Sequence, residues 1–350
     1  MSDPSSSPSS ASASPTDAAS SQTSSTEVPS ADSIAKTQAA IHSLNPILTS
    51  IPRYLSSSPD PFALLHDPDI SSQISDLLRH PDSGTVDNNV CRWLYDTFQT
   101  SDPALQLVVL RFLPIIAGVY LSRVPLRKTL SGFEAVLLAI YSHETTSRNG
   151  QSITVNIPDL SHPSIYHEAK PTAKNNATEF NVAIISPTLD PHRTVRSTQR
   201  AKIVGVALEL YYSKISQMPV RSKIDFCEHC EIWAGQDGSM YRDDEVKQGD
   251  EDGEKETKAG FKEGRIPLPW ELLQPVLRIL GHCLLGPHRD MALFDASHAA
   301  IRSLYARSIH DIDPRAILTT GSLLRLGKIA LDPKFNIDHT EVKMTNVISL

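Results

Sequence analysis

The residues that come closest to a reactive site lie in the string Cys227-Glu228-His229-Cys230. Two cysteines separated by two residues supply two of the four ligands that a structural zinc ion needs. No second Cys-x-x-Cys pair and no matching pair of histidines follows, and Cys91 and Cys283 stand apart in the chain. On a helix, Cys227 and Cys230 face one side, where free cysteines pack as small apolar side chains. Packing is therefore the favoured interpretation, with zinc binding and redox chemistry as alternatives.

A second group that could take part in catalysis is Tyr166-His167-Glu168, with His162 nearby. Histidine is a common general base near neutral pH. However, no nucleophile elbow, glycine-rich phosphate loop or pair of carboxylates accompanies the group. A structural role is favoured, and a hydrolase or metal enzyme that uses Cys227, Cys230 or His167 is the weakest hypothesis. The sequence thus predicts a protein that is not an enzyme, with no catalytic, cofactor-binding or metal-binding residues.

A short basic run, Arg193, Arg196, Arg200 and Lys202, surrounds the start of a predicted helix. Clusters of about four to eight basic residues beside an apolar anchor bind anionic lipid headgroups. The run therefore supports an alternative function, a helical trafficking adaptor that binds anionic lipid directly. Because no such anchor adjoins it, a solvated helix start is the favoured interpretation.

Composition excludes several classes of partner. The net charge is −7, and the segment Asp243–Lys258, with eight acidic residues and three lysines, accounts for −5 of it. No broad basic surface remains, which argues against nucleic acid as a partner. Four cysteines in 350 residues are typical of a reducing compartment rather than a disulfide scaffold. The most apolar run, 105–121, contains Gln106, Arg111 and Pro114 and is shorter than the roughly 20 apolar residues that span a bilayer, so no transmembrane segment is predicted.

The chain divides into three parts by composition. Residues 1–33 hold fourteen serines and almost no apolar side chains, a composition that predicts disorder. Residues 34–334 carry helical periodicity and form one predicted helical domain. Inside it, residues 236–264 are acidic and contain glycines, which predicts a solvated loop. Residues 335–350 form a mostly polar C-terminal tail.

The helical domain is organised around the stretch that begins at Leu130. Ser131 and Glu134 match a Ser-x-x-Glu capping box. The apolar positions after it have the spacing of one helix face: Phe133, Val136, Leu137, Ile140 and Tyr141. Asn149-Gly150 predicts a sharp turn. Ile153, Val155 and Ile157 alternate with polar residues, which predicts a short extended segment near 150–158 with one buried side.

The rest of the domain is predicted to be helical. Asp102-Pro103 and Asp313-Pro314 are start signals, because aspartate caps a helix and proline suits its first position. Strong helices are predicted over Thr198–Met218 and residues 220–234, and residues 168–197 are predicted to form a long surface loop. The predicted fold class is all-α, an irregular helical stack resembling an α-solenoid, with the one extended segment.

Two strings resemble the hyccin family. They are Leu130–Tyr141, with Phe133-Glu134-Ala135 at its centre, and Ile157–Glu168, which matches the pattern IPxLSxPSxYHE. A weaker resemblance includes the helix over Thr198–Met218, the segment Arg265-Ile266-Pro267 and the helix that starts at Asp313-Pro314. The similarity extends from about Trp93 to Leu326, and the second string is its most specific part.

The resemblance implies a non-enzymatic, all-α subunit of the plasma-membrane phosphatidylinositol 4-kinase complex. In that complex, such a subunit stabilises a tetratricopeptide-repeat scaffold protein, which in turn holds the type III alpha phosphatidylinositol 4-kinase. The expected location is the cytoplasm, peripherally at the plasma membrane through the complex. Neither the resemblance nor the residue patterns identify the partner interface.

Overall fold

A computed structural model of the protein describes residues 31–57, 59–158, 180–241, 264–287 and 290–331. These residues form thirteen α-helices and a two-stranded antiparallel sheet, which confirms the all-α stack and adds a second strand to the one extended segment that was predicted. The first helix begins at Ala31, three residues before the predicted start of the helical domain. The remainder of the Ser-rich N-terminus, most of the acidic loop and the C-terminal tail lie outside the described residues.

Eight helices precede the sheet: α1 (Ala31–Leu44), α2 (Arg53–Ser57), α3 (Pro61–His66), α4 (Pro68–Arg79), α5 (Asn89–Gln99), α6 (Pro103–Arg111), α7 (Leu113–Arg123) and α8 (Ser131–Ser147). Three of them start with the aspartate–proline pair. Asp60, Asp67 and Asp102 each accept hydrogen bonds from backbone N–H groups of the turn they precede. The start predicted at Asp102-Pro103 is confirmed.

The sheet and five helices follow: β1 (Ile153–Pro158), β2 (Phe180–Ser186), α9 (Arg200–Ser213), α10 (Val220–Ala234), α11 (Trp270–Leu285), α12 (Met291–Asp311) and α13 (Pro314–Leu331). Asp313 accepts from the backbone N–H groups of Arg315 and Ala316, so the second Asp-Pro start is confirmed as well. Gly235 ends α10 with φ of 60°, a left-handed conformation that glycine adopts at little cost.

The helices pack as two rows around one hydrophobic core. One row places α5, α8, α9 and α11 side by side, and the other places α4, α7, α10 and α12 side by side. Helix α13 closes the stack by packing on both α11 and α12. Because each helix buries its apolar face mainly against its neighbours in this order, the arrangement resembles an α-solenoid.

The centre of the core is α7, whose residues from Leu113 to Leu121 are all buried. A helix that is apolar all round belongs in the interior. The helix breaks near Pro114, because α6 ends at Arg111 and α7 begins at Leu113 with Pro114 in its first turn. The two segments meet at 44°, which turns the chain from the edge of the stack into its centre.

Glycine permits the closest approach between two helices of one row. A Cβ on Gly205 of α9 would lie 2.5 Å from the carbonyl oxygen of Glu271 at the start of α11. Real Cβ atoms do not approach so closely, and the obstacle is backbone. Glycine at this position therefore sets the spacing of α9 and α11.

The capping box predicted at the start of α8 is wrong. Ser131 is already the first helical residue, Leu130 occupies the N-cap position, and no side-chain cap hydrogen bond forms there. The Glu134 carboxylate instead accepts a hydrogen bond of 2.9 Å from the Tyr120 hydroxyl of α7. The Glu134 carboxylate thus accepts from a side chain of another helix instead of from the backbone N–H of Ser131. The buried face predicted for this helix is confirmed, since Phe133, Val136 and the other predicted positions are fully buried.

The surface loop predicted over residues 168–197 is wrong for residues 180–186 and is confirmed for residues 187–197, which form no helix or strand. Residues 180–186 form β2, which pairs with β1 in antiparallel register, Thr154 opposite Ile184 and Asn156 opposite Val182. The predicted turn before β1 is confirmed, with φ of 49° at Asn149 and 71° at Gly150. Alternation of apolar and polar residues predicted β1, whereas residues 182–185 of β2 are continuously apolar.

Candidate partner interface

The hairpin of β1 and β2 exposes apolar side chains along both of its strands. Its strands contact each other extensively, and neither makes an extensive contact with a described helix. Five branched apolar side chains are exposed on it: Ile153, Val155, Ile157, Val182 and Ile184. Exposed apolar patches of this kind mark surfaces that bind other proteins.

Both faces of the hairpin carry these side chains. Residues that pair directly across an antiparallel sheet point to the same face, so Ile184 shares a face with Thr154 and Val182 with Asn156. Val155 and Ile157 lie on the other face. Val182 and Ile184 are the most exposed, at 65% and 66%. A two-stranded sheet without a covering layer is marginally stable in water, so a partner that covers either face would stabilise this one.

The prediction that Ile153, Val155 and Ile157 form a buried side is wrong. Their exposed fractions are 38%, 42% and 48%. Alternation shows that a strand has one apolar side, but only the tertiary structure decides whether a helix covers that side. In this protein the described helices leave the side open.

The base of the hairpin, in contrast, is held by buried polar groups. The Arg148 guanidinium lies 2.6 Å from the Glu144 carboxylate and 3.3 Å from the Glu209 carboxylate, and it donates a hydrogen bond of 2.9 Å to the Ser186 hydroxyl. Ser186 ends β2, while the two glutamates belong to α8 and α9. Burial raises the pKa of Glu209, an effect that the Ser186 hydrogen bond and the Arg148 charge oppose. Among the described residues, this buried network therefore holds the hairpin at its base, beside α8 and α9.

A second apolar surface lies at the end of the stack. Ile312, at the turn between α12 and α13, is 79% exposed, and Leu318 on α13 is 72% exposed. These residues stand on the last helix pair, where a longer stack would continue. The surface provides a comparison for the hairpin in binding experiments.

Cys227 and Cys230 lie in the core. Both side chains are buried on α10. A hydrogen bond with the Cys283 thiol of α11, together with burial, raises the pKa of Cys227 well above its usual value, and burial does the same for Cys230. Such thiols stay neutral and are poor nucleophiles. Within the described part of the chain, no group of three or more His, Cys, Asp or Glu residues could hold a metal ion.

The histidine group, His162, Tyr166, His167 and Glu168, lies outside the described residues. His229, the histidine of the Cys-x-x-Cys string, is packed against α7, where a Cβ on Gly118 would lie 2.3 Å from its ring.

The four basic residues of the predicted lipid site divide into two pairs. Arg200 donates a hydrogen bond of 3.0 Å to the Tyr120 hydroxyl, and the Lys202 amine lies 3.9 Å from the Asp190 carboxylate. Arg193 and Arg196 are exposed. The alternative function, direct binding of anionic lipid, depends on four basic charges in one run. Two of these four residues instead contact other side chains of this protein.

A comparison with protein families gives the decisive observation. The profile of the hyccin family matches residues 61–336, which covers the stack from α3 through α13. The chain belongs to the hyccin family. Both strands of the hairpin lie within the matched range, as do the buried network at its base and the apolar surface of α13.

In the described part of this hyccin-family chain, no single helix is long and apolar enough to cross a membrane. Only α6 and α7 taken together pass by length and composition, and they are bent by 44°.

Sequence reasoning missed the exposed residues of β2. Phe180–Ile185 is a short run of mostly apolar residues, three of them β-branched, a composition typical of a strand. The surrounding residues rich in proline, asparagine and threonine favoured a loop. The strand was thus detectable from the composition of this run, whereas its pairing with β1 was not.

Proposed function

We propose that this chain is a non-enzymatic scaffold subunit of a plasma-membrane phosphatidylinositol 4-kinase complex. Membership of the hyccin family supports this proposal, since the resemblance of its motifs implies a non-catalytic subunit of that complex. In this role the chain supports phosphatidylinositol 4-phosphate synthesis and phosphoinositide signalling without performing the chemistry. It acts in the cytoplasm, peripherally at the plasma membrane, through the assembly to which it binds.

The partner that it binds directly is a tetratricopeptide-repeat scaffold protein, and that scaffold holds the type III alpha phosphatidylinositol 4-kinase. The single observation that carries the interface is the open hairpin, with Val182 and Ile184 exposed on one face and Val155 and Ile157 on the other. Helical repeat proteins present extended concave surfaces between their helix pairs. An apolar hairpin held only at its base suits such a groove, because both of its faces find apolar neighbours there.

The experiment is co-purification of the tagged scaffold partner with the chain and its variants. V182T/I184T keeps the branched shape that strands favour but removes the apolar surface. We expect recovery of this variant with the partner to fall at least tenfold. L318Q is the matched control, because it removes an equally exposed apolar side chain from α13 and keeps a good helix-forming residue.

The outcomes separate the function from the interface. Loss with V182T/I184T but not with L318Q supports both. Loss with L318Q alone places the contact on α13 and overturns the hairpin as interface. If the wild-type chain does not co-purify with the scaffold partner under conditions in which it is folded by circular dichroism, the proposed function itself is wrong.

A further inference from the structure

A small apolar cavity opens at the end of the stack where α13 ends. It lies between the end of α11, the first turn of α12 and the last turn of α13, and its volume is about 100 Å³. Cys283 and Leu284 of α11 are buried in its wall, at 6% and 5% exposed. Phe294 of α12 and Ala330 and Leu331 of α13 also line it. Three helices thus meet around an apolar space that none of them fills.

Large apolar side chains at this cavity are exposed. Met291 and Leu331, which line it, are 59% and 54% exposed, and Leu285, next to the buried Leu284, is 44% exposed. Exposed apolar side chains that are grouped around a concave site mark a binding surface. An apolar cavity of about 150 Å³ holds a benzene molecule, so this smaller one suits a single side chain that is inserted in part.

The last described residue of the chain stands at this cavity. Helix α13 ends at Leu331, whose side chain lines the cavity, and Asp332-Pro333 follows in the sequence. Proline lacks the N–H that a helix needs and disfavours helical backbone at the residue before it, which explains why α13 ends at this point. Phe335 is the fourth residue after Leu331, so the two Cα atoms are at most about 14 Å apart. The cavity is therefore within reach of the Phe335 side chain.

The residue types that follow α13 match the cavity. Phe335 is the only Phe, Tyr or Trp among residues 332–350, and an aromatic ring contacts both aromatic and methionine side chains favourably. Among the described residues that line the cavity, Asp290 alone is charged, and Lys334, beside Phe335, carries the opposite charge. The family profile extends to residue 336, so Phe335 belongs to the matched domain.

We propose that this cavity binds the segment that follows α13 in the same chain, with Phe335 inserted beside Cys283 and Phe294. A segment joined to its binding site by a few residues has an effective concentration on the order of millimolar, so even a weak contact is populated. Insertion covers Met291 and Leu331 and ties the last turn of α13 to α11 and α12. The contact lies within one chain and does not depend on the hairpin or on the proposed kinase complex.

The test is alkylation of the folded full chain with iodoacetamide, followed by mass spectrometry of each cysteine-containing peptide. A Phe335 ring in the cavity shields the Cys283 thiol from the reagent. We expect F335S to raise the alkylation rate at Cys283 at least tenfold, and F335L, which keeps an apolar side chain there, to raise it less than threefold. Cys91 is the internal reference, because it is buried on α5 and lines a separate cavity. Its rate should stay the same in both variants.

The matched control is I348S, which removes an apolar side chain further along the same segment and should leave the Cys283 rate unchanged. Equal rates at Cys283 in the wild type and F335S overturn the proposal, as does an equal rise in F335S and I348S. Equal rises at Cys283 and Cys91 in F335S would show that the whole fold has loosened and would overturn a local contact. Protection of Cys283 that weakens on hundredfold dilution would assign the inserted segment to a second copy of the chain and overturn the contact within one chain.

Discussion

At the scale of single residues, this protein keeps charged groups inside a helical stack by pairing them across elements. Arg148 is the clearest example, since it connects α8, α9 and the end of β2 through Glu144, Glu209 and Ser186. Its side chain is 12% exposed, and those of the two glutamates are 9% and 8% exposed. Removing one member of such a group leaves the others charged without a partner, which costs more than the pair contributes.

We therefore predict that R148M lowers the free energy of unfolding by about 3–5 kcal/mol. In that background, E209Q removes one of the two unpaired carboxylates and should recover part of the loss. Urea unfolding of the two single variants and the double variant measures the coupling between them. R92Q serves as the exposed control. If the losses from R148M and E209Q simply add, the two side chains do not interact as described.

His229 is a second residue whose burial has a measurable consequence. Both ring nitrogens are buried and have no hydrogen-bond partner in the described structure. Burial, with a smaller contribution from the Arg79 charge, lowers the pKa of His229 from 6.5 to about 4. Between these two pH values, the unfolded chain binds a proton at this residue and the folded chain does not. The free energy of unfolding must then fall as the pH drops through that window.

We predict that His229 accounts for a loss of about 3 kcal/mol in the free energy of unfolding between pH 7 and pH 4. H229L lacks the titrating ring and should lose correspondingly less over the same range. Urea unfolding at pH 7.0, 5.5 and 4.5 measures the difference. The exposed His80 supplies the control H80Q, which should follow the wild type. An H229L curve parallel to that of the wild type would contradict the prediction.

At the scale of elements, aspartate caps and glycines define where the helices begin and how closely they pack. The caps are local and were visible in the sequence, whereas the close approach of α9 and α11 at Gly205 was not. The carbonyl oxygen of Glu271, which occupies the space of a Cβ there, belongs to a helix more than sixty residues away in the chain. The spacing between α9 and α11 therefore depends on both helices and cannot be predicted from the sequence of either one alone.

We predict that G205A lowers the free energy of unfolding by about 1–3 kcal/mol, the usual cost of forcing extra atoms into a packed interior. G321A on α13 is the matched control, because its Cβ would meet only the Tyr305 ring at 3.4 Å. There the better helix propensity of alanine should leave stability unchanged or raise it by about 1 kcal/mol. Thermal unfolding compares both variants with the wild type, and equal midpoints for G205A and G321A would refute the spacing role.

At the scale of the whole molecule, the two helix rows form a continuous core while the hairpin stays outside it. The core needs no partner to bury its apolar faces. The exposed strands do, since an isolated two-stranded sheet is marginal in water. A partner that covers the hairpin binds only the folded chain and stabilises it by mass action.

We predict that the tetratricopeptide-repeat partner raises the thermal midpoint of this chain by several degrees. At a free partner concentration of 100 times the dissociation constant, the gain is about 2.7 kcal/mol, and each kcal/mol moves the midpoint of a domain of this size by roughly 2–4 °C. Scanning fluorimetry of the isolated chain and of the complex measures the shift. V182T/I184T should show no shift with the same partner, and a shift that survives in this variant would place the contact elsewhere.

The sequence by itself determined the all-α fold class and the residues at which several helices begin. Helical periodicity of apolar residues predicted the buried face of α8, and the Asp-Pro pairs predicted the starts of α6 and α13, because both depend on interactions within a few residues. The motif over Leu130–Tyr141 and Ile157–Glu168 indicated the family for the same reason, since it is a property of order along the chain.

Only the tertiary structure decided which apolar and charged side chains are covered. It left Val155 and Ile157 exposed, turned Glu134 from a predicted cap towards Tyr120, and buried Arg111 beside Arg79 and Arg221. Each of these outcomes depends on an element distant in sequence. Local patterns report how a segment can fold, whereas burial and charge pairing depend on which segments meet, and the open hairpin is one result of those contacts.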